Sequence, residues 1–133
     1  MWPWIWIALG GALGGVGRYW LNGIVSARFE TFPAGTLVVN VVGSFVIGFL
    51  AALAQPEGPL SARGRVIVTE FFMIGLCGGF TTFSSFSLQT LNLLRDGEWF
   101  YAASNVVLSV LGCLLATWLG YLAGSALLTI KGR

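Results

Sequence analysis

The sequence contains no histidine, and its five acids and seven basic residues make charged side chains only 9% of the chain. Soluble domains carry roughly 25% charged residues, so a soluble fold could not cover its surface with this composition. The missing histidine removes the commonest metal ligand and general base. The two cysteines, Cys77 and Cys113, both fall in apolar stretches. They read as small buried hydrophobes; two alone make no zinc site, and a disulfide is not expected. The cations are scattered and the net charge is +2, which argues against a nucleic-acid partner. No nucleophile–base pair or metal-ligand cluster points to an enzyme, and no internal repeat or low-complexity segment stands out.

What the sequence does have is apolar: 56% hydrophobic residues and a mean hydropathy of +0.85. A bilayer is the solvent that suits it, and a spanning helix needs about 20 mostly apolar residues. Charge-free runs predict four spans in one transmembrane domain, at about residues 3–26, 34–54, 65–94 and 99–129. Pro56 and Pro59 mark the second connection and Gly97 suits a tight third turn. Trp2, Trp4 and Trp6 resemble an interfacial aromatic belt more than a secretory signal, so the first segment is read as retained.

Four spans place Arg63, Arg65, Lys131 and Arg133 on one side, and Arg28 and Arg95, with Arg18 if it reaches the surface, on the other. Cationic excess normally fixes orientation. A bias this small is compatible with one weakly set topology. It is also compatible with insertion both ways and an antiparallel two-fold dimer.

Glycines at 10, 11, 14 and 15, and the series Gly112, Ala116, Gly120 and Gly124, read as close helix-packing faces. Thr36, Asn40 and Ser44 share a face of the second helix, as do Asn105, Ser109, Cys113 and Thr117 of the fourth. Hydroxyls can bond their own helix carbonyls. The amides of Asn40 and Asn105 do this less easily, so they are expected to bond across helices or line a wet path. The ionisable groups within spans, Arg18 and Glu70, sit near ends, where arginine can snorkel. No acid or histidine is placed to relay protons, so passive flow of a small solute fits better than pumping. Neutral donors favour an anion.

The third span contains Gly78-Gly79 followed by Thr81-Thr82. Each glycine weakens a helix by about 1 kcal/mol relative to alanine, so two half-helices are expected to meet near 78–82. Such breaks are tolerated only where protein or water satisfies the freed backbone, and they commonly build ion sites. Phe80, Phe83 and Phe86 follow at three-residue spacing, and aromatic ring edges are electropositive.

The stretches Pro33-Ala-Gly-Thr-Leu-Val-Val-Asn-Val-Val-Gly-Ser-Phe and Gly75-Leu-Cys-Gly-Gly-Phe-Thr-Thr-Phe-Ser-Ser-Phe-Ser resemble the CrcB/Fluc family of bacterial fluoride channels, and the Gly17-Arg18 pair also matches. The resemblance covers essentially the whole chain. It implies an all-α antiparallel, dual-topology homodimer in the bacterial inner membrane, with two pores that export fluoride passively and exclude chloride. It also implies a fluoride pathway through Asn40, Phe83, Phe86, Thr82, Ser84 and Ser109, with Arg18 near the aqueous vestibule. Carbonyls of Gly78 and Thr81 from both subunits would hold a central structural sodium ion. Two positions depart from the pattern: Gln89 stands where many relatives have glutamate, and Cys113 where a hydroxyl is expected. A thiol is the weaker donor. The four-helix multidrug transporters need an acid mid-helix one, and Leu9 to Val16 holds none. A non-conducting scaffold leaves the aligned amides and the break unexplained.

Overall fold

The computed structural model describes residues 2–56 and 58–131; Arg133 of the charge reading lies outside the described residues, as does the Lys131 side chain. The described residues are helical, with no strand. Helix α1 spans Pro3–Ser26, α2 Ala34–Leu53, α3 Ala62–Ile67, α4 Gly78–Phe80, α5 Phe83–Arg95 and α6 Trp99–Lys131. A π-helix, Val68–Cys77, joins α3 to α4. Three helices are long and apolar enough to cross a membrane: Ala34–Leu53, Ala62–Arg95 and Trp99–Ile130. Helix α1 has 24 residues. Its apolar character is diluted by glycine pairs, tryptophans and Arg18, so it is not one of the three.

The helix ends follow local chemistry. Pro3 opens α1 at a position where the missing N–H costs nothing. Ser61 caps α3, its hydroxyl accepting from the Gly64 N–H at 3.1 Å. At the end of α5, Glu98 N–H closes on the Leu93 carbonyl at 2.8 Å, with Gly97 at φ 81° between them. That left-handed residue lets α6 start at once.

Helices α2 and α6 pack along their length, and α1 packs on the π-helix and α4. Both contacts bring backbone against backbone at glycine. A Cβ at Gly10 would collide with the Phe71 carbonyl oxygen, and one at Gly14 with that of Leu76. Across the other pair, a Cβ on Gly48 would strike the Thr117 carbonyl and one on Gly120 that of Phe45. Gly15, read with its neighbours as a packing residue, faces open space instead. Tyr121 and Gln55 hydrogen-bond between α6 and the end of α2.

The interruption in the third long helix falls within the expected 78–82 stretch, at its far end past the glycines. Gly78 and Gly79 are helical. The chain becomes extended at Thr81 (φ −80°, ψ 159°) and Thr82 (φ −153°, ψ 111°). Gly79 is needed for space, because a Cβ there would lie 2.5 Å from the Gly11 carbonyl of α1. The β-branched threonines take the extended conformation that suits them.

Candidate functional site

Unwinding Thr81 and Thr82 frees backbone groups that a helix would have paired, and side chains from α1, α2 and the break itself take several of them. The Asn40 side chain on α2 takes both polar groups of Thr82. Its Oδ1 accepts from the Thr82 N–H at 2.7 Å and its Nδ2 donates to the Thr82 carbonyl at 3.1 Å. An amide is the one neutral side chain that can pair with a peptide in both directions, as a neighbouring strand would. The Thr82 hydroxyl accepts from the Ser85 N–H at 3.2 Å, which caps α5. It also meets the hydroxyls of Ser84 and Ser85 at 3.2 Å and 3.0 Å.

Among the carbonyls left without helical donors are those of Gly78 and Thr81. The N–H that would close on Gly78 is held by Asn40, and the one that would close on Thr81 is held by the Thr82 hydroxyl. Arg18 Nη1 reaches the Thr81 carbonyl from α1 at 3.3 Å. The arginine expected near the surface therefore turns inward to the break. The two freed carbonyls are hard oxygen donors of the kind an alkali cation takes. One chain supplies too few to enclose such an ion, and Arg18 already shares one of them.

Two cavities flank the Asn40–Thr82 pair. The first, of about 400 Å³, brings together Asn40, Thr82, Phe83, Phe86 and Ser109, and is lined also by Gly78 and Thr81. Cys77 and Cys113 also line it. The second, of about 450 Å³, holds Arg18, Asn22, Thr36, Ser85 and Gln89, and shares Thr82 with the first. Of the residues singled out from the sequence, Arg18 stands apart from the first cavity, and Ser84 lines neither. The Phe83 and Phe86 rings are 5.1 Å apart and inclined at 51°. Their surroundings differ sharply: Phe86 is 8% exposed and Phe83 76%.

Several hydroxyls of the polar stripes serve their own helix. Thr81 donates to Cys77, Ser87 to Phe83, Thr90 to Phe86 and Thr117 to Cys113, each to a carbonyl one turn back. Asn105, 1% exposed, bonds outward from α6 instead. Its Nδ2 donates to the Thr90 hydroxyl at 2.9 Å and its Oδ1 accepts from Ser109 at 3.5 Å. Sequence reasoning placed Asn105 on the stripe without seeing that it fixes Ser109 and Thr90. Asn22, which accepts from Thr36 at 3.4 Å, was missed altogether. The amide argument applied to Asn40 and Asn105 covers it equally, since it lies within the first span. Gln89 is the least settled group, with its Oε1 buried and unpartnered among the described residues.

A family model described as CrcB-like protein, Camphor Resistance (CrcB), matches residues 5–121. The chain belongs to this family. A relative from Opitutus terrae named fluoride-specific ion channel FluC is 60% identical over 131 residues, covering 96% of each chain. Proteins of the same name from Methylocella silvestris and Geotalea uraniireducens are 52% and 44% identical. They cover 96% and 92% of this chain, and 97% of their own length in both cases. The CrcB-like relatives are thus named as ion channels rather than enzymes. Together with the three apolar helices, they make this a multi-pass membrane protein.

Proposed function

We propose that this chain is a fluoride-selective channel that lets fluoride leave the cytoplasm passively across the bacterial inner membrane, reducing its toxicity. The observation that carries the reading is the cavity on the broken helix, where an amide, hydroxyls and aromatic rings converge without an ionised acid. Fluoride is small and strongly hydrated. A selective path has to replace its water with donors, yet hold it weakly enough for release. One N–H of Asn40 Nδ2 is left over from the Thr82 pairing to face such an ion. Ser109 and Thr82 bring hydroxyls to this cavity, with Ser84 bonded to the Thr82 hydroxyl from outside it; Phe83 and Phe86 bring ring edges, and Arg18 draws anions towards the second cavity. The names of the relatives support fluoride as the ion.

In this reading α1 is a fourth span, and two copies assemble antiparallel around two pores. The exposure of Phe83, beside a largely buried partner ring, fits a site that a second copy completes. The carbonyls of Gly78 and Thr81 from both copies would hold a structural sodium ion, which would supply charge to tie the two breaks together.

The direct test is anion release from liposomes containing the purified protein, followed with a fluoride electrode and, in parallel, a chloride electrode. Fluoride release with chloride retained is expected; no fluoride release, or equal release of both, would sink the reading. Tagging the C-terminus is expected to label it on both membrane faces, and labelling on one face alone would remove the antiparallel assembly. Replacing sodium by a large organic cation is expected to lower the melting temperature of the dimer. An unchanged value would remove the sodium site.

A further inference from the structure

Glu70 stands outside the polar route through the broken helix. It lies in the π-helix, one residue before the uncharged run from Phe71 to Leu94. That run measures about 36 Å at helical rise, slightly more than the roughly 30 Å hydrocarbon layer. Glu70 is therefore at the boundary between hydrocarbon and headgroups. Its Oε2 is buried and has no hydrogen-bond partner among the described residues. A buried carboxylate oxygen without a donor is costly.

A cavity of about 560 Å³ opens beside it, lined by Glu70, Arg63, Trp6, Pro3, Val66 and Ile67. Arg63 lies two helical turns outward on the same helix and is exposed. Its neighbour Arg65 is already used, donating to the Leu60 carbonyl at 2.9 Å. Trp6 meets Phe71 edge to face at 6.1 Å and closes the wall on the α1 side. Val66 and Ile67 are 49% and 36% exposed, giving the mouth an apolar lip. Helical side chains lean towards the helix N-terminus, so the Glu70 carboxylate points back towards the headgroup layer.

We propose that this cavity binds a phospholipid headgroup carrying both a phosphate and a protonated amine with N–H donors, of the phosphatidylethanolamine type. Glu70 takes the ammonium, Arg63 the phosphate, and Val66 and Ile67 lie along the first carbons of the acyl chains. A trimethylated headgroup has the same charges but no N–H for Oε2. The site therefore discriminates by hydrogen bonding, and a charge-assisted bond of this kind is worth roughly tenfold in affinity.

The test is native mass spectrometry of the full-length protein released from nanodiscs containing equal amounts of phosphatidylethanolamine and phosphatidylcholine with identical chains. Wild type is expected to retain roughly tenfold more of the ethanolamine lipid. Glu70→Leu is expected to bring the ratio to about one. Arg63→Gln, at an exposed position, is expected to lower retention of both lipids and leave the ratio intact, since both carry phosphate. A headgroup series with one, two and three N-methyl groups, run on wild type alone, needs no variant to fold. Retention is expected to fall along it and to be lowest at three. A flat series, a wild-type ratio near one, or a ratio unchanged in Glu70→Leu would overturn the proposal. Displacement of the lipid by soluble phosphoethanolamine would also overturn it, by assigning the site to a water-soluble ligand.

Discussion

The α2–α6 pair and the third long helix solve the same problem in opposite ways. Along α2 and α6 every spanning turn pairs its own backbone, and the helices need only small residues to approach. Gly48 and Gly120 let each helix touch the other's carbonyls. The third helix widens into a π-helix, tightens for one turn, then opens at Thr81 and Thr82. Its freed groups depend on side chains from elsewhere: Asn40 from α2, Arg18 from α1 and the local hydroxyl of Thr82. Regular spans are held by shape. The broken span is held by a few polar side chains, and those same side chains line the cavities.

That contrast can be broken most severely at Asn40. Asn40→Leu strands the Thr82 N–H, at about 1–3 kcal/mol, and removes one of the two bonds to the Thr82 carbonyl, which keeps its first bond within α5. A loss of roughly 3 kcal/mol is expected, read by thermal unfolding in detergent, with fluoride release abolished. Stability within error of wild type would show that the break holds itself.

The next effect belongs to shape. Gly14→Val drives a side chain into the Leu76 carbonyl, at a cost of about 1–3 kcal/mol. Gly15→Val, one residue on, meets nothing within 4 Å and is expected to change stability by less than about 0.5 kcal/mol. Equal effects at both positions would contradict the packing described for α1. Asn105→Leu is expected to cost about 1–2 kcal/mol through loss of its bond to Thr90, with a partial loss of flux as Ser109 is released.

The smallest stability effect is expected at Phe83. Phe83→Ile removes a ring that is largely exposed in one chain, so unfolding of the chain should move by less than about 0.5 kcal/mol while flux falls. Phe86→Ile, at a buried ring, is expected to reduce both flux and stability, the latter by about 1 kcal/mol. Flux unchanged in both variants would remove the rings from the pathway.

Much of this architecture is legible in the sequence because the bilayer imposes simple rules. Apolar stretches stopping before Arg28, at Pro56 and before Arg95 mark where helices stop, with Arg18 the one charge inside the first, since charge and proline are poorly tolerated further in. The four-residue spacing that put Asn40 and Ser109 on polar faces also puts both on one cavity. The position of the break was less legible. Two adjacent glycines suggest flexibility, but both stay helical, Gly79 provides room for α1, and the chain opens at the threonines that follow. The inward turn of Arg18 was hidden for a related reason. Its partner is a carbonyl that becomes available only once the helix opens, and carbonyls leave no mark in a sequence. Glu70 likewise resembled an ordinary boundary charge until its buried, unpartnered oxygen was seen.

We propose that the opened segment held by Asn40 is the route for fluoride. Paired fluoride and chloride release from liposomes, with wild type and with Asn40→Ala verified as folded by gel filtration, tests it most directly. The account predicts rapid fluoride release and chloride retention for wild type, and fluoride release reduced at least about tenfold in the variant, equivalent to 1.4 kcal/mol or more. A folded variant that releases fluoride at the wild-type rate would contradict it.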